Sequence, residues 1–181
     1  MKKFAILIPT IFALLLSGCT SELEEDCNNW LSETAAKDAI AFTADVTAEY
    51  PDGEISFTLC CSEDGAGGVE VEVLAPEIIS GIKAHIAGDS SQLIYDGVIL
   101  DTGDLDNWGL TPMSAMPKLI EAVRNGALDS YERDDGAISL ALAVDDHLTV
   151  KLTLDDDMTP VSAEYISDEK TVLLCRITEW K

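Results

Sequence analysis

Residues 41–74 read AFTADVTAEYPDGEISFTLCCSEDGAGGVEVEVL, and their periodicity decides the fold. Phe42, Ala44, Val46 and Ala48 alternate with polar residues up to Tyr50-Pro51-Asp52-Gly53, a turn signal of the hairpin type. Ile55, Phe57, Leu59 and Cys61 then alternate with Ser56, Thr58 and Cys60, until the glycines between Gly65 and Gly68 turn the chain again. Val69, Val71 and Val73 alternate with Glu70, Glu72 and Leu74. A period of two sends one set of side chains to a core and the other to water. The stretch therefore predicts a meander of antiparallel strands with one wet face.

Downstream, Pro76 interrupts and residues 77–81 read as a helical turn. Short strands follow at 82–87, 92–95 and 98–101, separated by Gly88-Asp89 and Asp96-Gly97. A helix comes next. Thr111-Pro112 or Ser114 caps it, Met113, Met116, Leu119, Ile120 and Val123 form one apolar stripe, and Arg124 with Asn125-Gly126 ends it. Pro117 argues against an unbroken helix from Thr111. The last third returns to alternation in four strands: Ile138 to Val144, Leu148 to Leu154, Val161 to Ile166, and Thr171 to Thr178.

Upstream, Leu23, Cys27, Trp30, Leu31 and Thr34 recur at three- and four-residue spacing and predict a first helix. The fold class expected is α+β and β-rich: a curved antiparallel sheet whose apolar face two helical segments must cover, in one domain.

The N-terminus carries a different signal. Met1-Lys2-Lys3 is basic, and residues 4–16 are apolar apart from Pro9 and Thr10. This run is short for a permanent span, which takes about 20 residues, and fits the apolar region of a cleaved export signal. It ends in Leu16-Ser17-Gly18-Cys19, which resembles the lipobox of bacterial lipoproteins. That resemblance implies a signal peptide over 1–18, a diacylglyceryl group on Cys19, a lipidated tether over 19–26 and a folded domain over 27–181. It implies a protein held on the extracytoplasmic face of a cell membrane by its lipid anchor, since two or three acyl chains give durable attachment.

Charge bounds the partners. The chain has 11 Lys and Arg against 34 Asp and Glu, a formal charge of −23. Such an excess excludes nucleic acid and anionic lipid head groups as direct partners and favours a protein partner with a basic surface, unless the acidity is only a solvated exterior. Cys27, Cys60, Cys61 and Cys175 remain beside Cys19. A disulfide from Cys27 to Cys60 or Cys61, or from either of those to Cys175, and buried free thiols are both open readings. Adjacent Cys60 and Cys61 point to opposite faces of a strand.

Catalytic and metal signatures are missing from the chain. The pairs Asp134-Asp135 and Asp145-Asp146 and the run Asp155-Asp156-Asp157 sit in expected hairpin turns, where Asp bonds its own backbone. His85 and His147 lie beside no nucleophile in the chain, and no Cys-x-x-Cys pair occurs. The loop from Asp101 through Asp104 and Asp106 to Gly109 is rich in oxygen ligands but fails the EF-hand spacing. Nothing in the sequence calls for a cofactor or a resident metal, and no enzyme activity is expected.

The order of parts is familiar: a lipobox, a helix, a long meander, then Pro76-Glu77-Ile78-Ile79-Ser80-Gly81-Ile82 as a Pro-Glu-x-x-x-Gly-Ile segment. The Tyr95-Asp96-Gly97 hairpin, the proline-bearing loop and helix at Leu110 to Ile120 and four closing strands complete it. From Phe42 to Trp180 the chain resembles the LolA/LolB-like lipoprotein superfamily, especially its small Gram-positive, GerS-like lipoproteins. The resemblance implies an unclosed β-barrel with helices filling the open side and an apolar cavity between them. Phe57, Leu59, Val71, Val73, Leu140 and Leu142 would wall that cavity, and Met113, Met116, Leu119, Ile120 and Val123 would form its lid. None of Arg124, Arg133 and Arg176, the chain's only arginines, stands at the carrier branch's gating position.

Two functions of different class follow. One is a lipoprotein that binds a lipid or acyl chain in the half-barrel. The other is a non-catalytic module that docks another cell-envelope protein, with Trp108, Trp180 and Tyr131 as candidate anchors. A structural surface lipoprotein with a filled core is the third reading.

Overall fold

A computed structural model describes residues 22–50, 53–88, 90–103 and 110–181. The export signal, the lipobox with Cys19, the Pro51-Asp52 turn and the oxygen-rich loop with Trp108 lie outside the described residues. The chain runs α1 (Glu22–Ala35), β1 (Ala41–Tyr50), β2 (Gly53–Glu63), β3 (Val69–Ala75), a 3-10 turn (Glu77–Ile79), β4 (Lys83–Ala87), β5 (Ser90–Tyr95) and β6 (Val98–Asp101). It continues with α2 (Pro112–Asn125), β7 (Ala127–Asp134), β8 (Ala137–Ala143), β9 (Leu148–Leu154), β10 (Pro160–Ser167) and β11 (Lys170–Trp180).

All eleven strands form one curled, unclosed antiparallel sheet in the order β6-β5-β4-β3-β2-β1-β11-β10-β9-β8-β7. Nine of the ten strand pairings join chain neighbours. The exception in the order is β1 against β11, which zips the first strand to the last. Phe42 lies opposite Trp180 there, with ring centroids 5.5 Å apart in a stacked arrangement, and the Lys181 amide donates to the Ala41 carbonyl at 2.8 Å.

The inward residues are those the alternation predicts. Phe42, Ala44, Val46, Leu59, Cys61, Val71, Leu140, Leu142, Val150, Leu152 and Tyr165 are all buried in one contiguous core. The outer half of β2 departs from the pattern: Ile55 is 45% exposed and Phe57 half-buried. Cys61 is buried and Cys60 half-buried, on opposite faces as expected, and all four described cysteines are free thiols.

Two boundaries differ from the sequence reading. Residues 22–26, read as tether, are the first part of α1; Glu22, Glu24 and Glu25 in its first turn favour that end of the helix electrostatically. Strand β7 was not expected. It exposes most of its side chains, only Leu128 and Tyr131 pack on the core, and a register shift between Leu128 and Ser130 breaks its period. Pro117 sits inside α2 without ending it, since a proline six residues in removes one hydrogen bond near an end that tertiary packing holds.

Candidate functional site: a closed concave face and an open sheet edge

Helix α2 lies over the concave face. Thr111 caps it: its hydroxyl accepts from the Ser114 amide at 3.1 Å, and its own amide donates to the Ser114 hydroxyl at 2.9 Å. Pro112 fits the first turn, and Gly126 follows the last. A 14-residue helix is marginal alone in water. Burial of Met116, Leu119, Ile120 and Val123, each worth roughly 1.5–3 kcal/mol at most, is what holds it.

The eleven residues expected to wall and lid a cavity come together in one place. Leu59, Val71, Val73, Leu140 and Leu142 from the sheet interlock with Met116, Leu119, Ile120 and Val123 from the helix, and all nine are buried in the same cluster. Phe57 and Met113 are half-buried and pack against it. In this state the chain's own side chains occupy the concave face.

Polar contacts lock the helix down. Tyr165 on β10, fully buried, donates its hydroxyl to the Ala115 carbonyl at 2.8 Å; burial pushes its ionisation well above the usual range, so it stays a neutral donor. At the other end of α2, Arg124 Nε donates to Glu63 Oε1 at 2.8 Å and Nη2 to Glu63 Oε2. The same guanidinium reaches the carbonyls of Ala35 and Lys37 at the end of α1. One side chain thus ties α1, α2 and β2 together. The sequence marks Arg124 as a helix stop; its pairing with Glu63 is a long-range contact with no local signal.

Two grooves flank the covered face. One, of about 300 Å³, runs beside α2 and is lined by Val69, Ile86, Ser91, Pro117, Ile120 and Arg124 among others. Another, of about 510 Å³, lies between α1 and the β7–β9 end, with Trp30, Arg133, Ile138, Asp156 and Met158 in its lining. Trp180 and Tyr131, considered as exposed anchors, are instead half-buried against the core, and Tyr131 donates to Glu24 at 3.1 Å.

Exposed apolar side chains occur on several elements, among them Ile78, Val172 and Leu174, but four lie together. Tyr95 is 52%, Val98 67%, Ile99 61% and Leu100 60% exposed, all on the β5–β6 hairpin at one end of the sheet. Among the described residues β6 pairs only with β5.

The acidic pairs and histidines have structural roles. Asp145 Oδ1 accepts from the amides of His147 and Leu148, and Asp155 Oδ1 from those of Asp157 and Thr159, as turn residues do. Asp64 is held at about 2 by its bond to His85 and by the amides of Ala66 and Gly68. His147 meets Asp168 at 3.3 Å on an open surface. Among the described residues no group of three or more His, Cys, Asp or Glu is placed to hold a metal ion, and no helix is long and apolar enough to cross a membrane.

No family model matches the chain, and no curated protein matches it. Solved structures do. A DUF1329 family protein from Desulfovibrio piger superposes with a TM-score of 0.50 at 9% identity, over 86% of this chain and 90% of that one. A LolA superfamily protein from Nitrosomonas europaea gives 0.49 at 13% identity, over 85% and 92%. The chain shares the fold of the DUF1329 family protein. A chain from the complex of the CwlD amidase with the GerS lipoprotein, from Clostridioides difficile, also aligns, with a TM-score of 0.44 at 12% identity over 92% and 99%. At these identities the likeness concerns the backbone fold alone, and the sites described above stand on their own geometry.

Proposed function

We propose that the chain is a non-catalytic docking module of the cell envelope, tethered to a membrane through Cys19. The observation that carries this reading is a contrast between two surfaces. The concave face, where a carrier would hold its ligand, is filled by Met116, Leu119, Ile120 and Val123. The β5–β6 hairpin turns four large apolar side chains to solvent. Exposed clusters of that kind mark interaction sites. The basic start, apolar run and lipobox-like end of residues 1–19 support the tether, and the charge of −23 supports a partner with a basic surface.

Photo-crosslinking in the native envelope tests this reading. The full chain carries benzoylphenylalanine in turn at Tyr95, Val98 and Ile99, with Thr47 and Glu164 on distant strands as controls. The reading predicts a discrete protein adduct from the first three positions only. Adducts with lipid alone, or equal yields from every position, would count against it.

A second reading, binding of a lipid or acyl chain, is favoured by one observation. The groove of about 300 Å³ beside α2 has the apolar side chains Val69, Ile86, Pro117 and Ile120 in its lining. Release of the Arg124 clasp would let α2 lift and widen it.

A further inference from the structure

The two ends of the sheet are treated differently. β7 carries Asp129, Glu132, Arg133 and Asp134 and a register shift between Leu128 and Ser130, devices that discourage another strand from pairing. β6 has three apolar residues in succession, Val98-Ile99-Leu100, and no lysine, proline or register shift. Among the described residues, what limits this edge is its length of four residues and the aspartate at its end.

The ladder shows which groups are free. β5 and β6 are closed by Asp96-Gly97, both with positive φ (49° and 76°), the geometry of a two-residue hairpin. In such a hairpin the closing pair Tyr95–Val98 exchanges hydrogen bonds and alternate pairs follow it. The Thr102 amide, which donates to the Ser91 carbonyl at 2.9 Å, fits that phase. Val98 and Leu100 therefore bond inward, and Ile99 and Asp101 turn their N–H and C=O to the free edge.

Charge selects the occupant. Asp96 and Asp101 flank the apolar run, and the cation on β4, Lys83, is held by Glu70 and Glu72. A second copy pairing through β6 would bring these aspartates against their own equivalents, between two chains of charge −23. We propose that β6 is an acceptor edge for strand addition. It takes a short extended segment of another protein, apolar in its middle and basic at its ends, as a further antiparallel or parallel strand. This rests on the docking reading and names its mode.

The test uses the full chain in detergent micelles, followed by hydrogen exchange. The probe is an acetylated peptide of alternating valine and threonine with lysine at each end; its counterpart carries glutamate at each end. The lysine peptide is expected to slow exchange at Ile99 and Asp101 and to bind roughly ten-fold tighter than the glutamate peptide. Ile99→Pro removes an outward N–H without touching the ladder to β5, so it should abolish protection while thermal unfolding stays unchanged. Should Ile99→Pro disturb the fold, Ile99→Lys, which keeps the amide but blunts the edge, is expected to weaken binding in its place. Equal affinity for both peptides, or protection that survives both substitutions, would overturn the proposal. No protection together with a protein crosslink from position 99 in cells sinks strand addition but not docking; no protection and no crosslink sinks both.

Discussion

Arg124 and Glu63, 61 positions apart in the chain, form a two-point ion pair that fastens the end of α2 to the end of β2. Both side chains are about one-fifth exposed, at 21% and 18%, so solvent screens the pair only partly. Arg124→Ala and Glu63→Gln should each cost about 2 kcal/mol, the range for hydrogen bonds to charged groups, read from urea unfolding. A loss below a few tenths in both would show that the clasp is not a structural tie.

The same pair fixes a pH dependence. Hydrogen bonding to Arg124, ahead of the backbone bond from Ile40, lowers Glu63 below its usual value of 4.5. A depressed carboxylate contributes stability that is complete above its unfolded value and fades as pH falls through the folded one. Glu63→Gln should therefore flatten the acid side of the stability curve as well as lower its plateau. A parallel shift of the whole curve would contradict this assignment.

The buried hydroxyl of Tyr165 donates to Ala115 at 2.8 Å, inside the core. Tyr165→Phe keeps the ring and removes that bond, and should cost about 1 kcal/mol. Met116→Ala, which opens a void beneath α2, should cost about 2–5 kcal/mol. Urea unfolding of both variants separates the polar contact from the packing.

Thiol chemistry offers an independent reading of burial. Burial pushes Cys175 up to about 12 and Cys61 well above its ordinary value, and raises Cys27 with help from Asp26. Among Cys27, Cys60, Cys61 and Cys175, only the half-buried Cys60 should react promptly with a maleimide in the native state, and all four should react in urea. Prompt labelling of Cys175 in the native protein would mean that the β1–β11 seam opens readily.

The β10–β11 turn carries a local cost. Asp168 and Glu169 both have positive φ, 47° and 65°, where the β7–β8 turn uses Asp135 and Gly136. Glu169→Gly should stabilise by up to about 1 kcal/mol, since glycine enters that region freely. Gly136→Ala should destabilise, because an added methyl carbon would sit 2.1 Å from Asp156 Oδ1 at a φ of +90°. Thermal unfolding of the two variants should shift in opposite directions.

Much of the fold was legible because alternation is a local signal. Phe42 to Ala48 and Leu148 to Leu154 declare their inner faces residue by residue, and the stripe from Met116 to Val123 declares its helix. β7 was not legible, because an edge strand with one covered face and a bulge leaves only Leu128 and Tyr131 as apolar markers on the core. The start of α1 fell between two readings, because Leu23 fits the helical spacing while the acidic first turn reads equally as a solvated tether. At the site, the residues expected to line the concave face share one cluster, but whether they enclose space or fill it depends on volumes that periodicity does not encode. The clasp of Arg124 and the free edge of β6 are properties of the assembled sheet, and no window of sequence contains them.

Native mass spectrometry on residues 20–181, purified from bacteria without detergent and then extracted with organic solvent, tests the central claim most directly. A filled concave face predicts the mass of the bare polypeptide and no lipid in the extract. A stoichiometric lipid or acyl species that disappears when Met116 or Leu119 is made charged would contradict it, and would assign the half-barrel to ligand carriage instead.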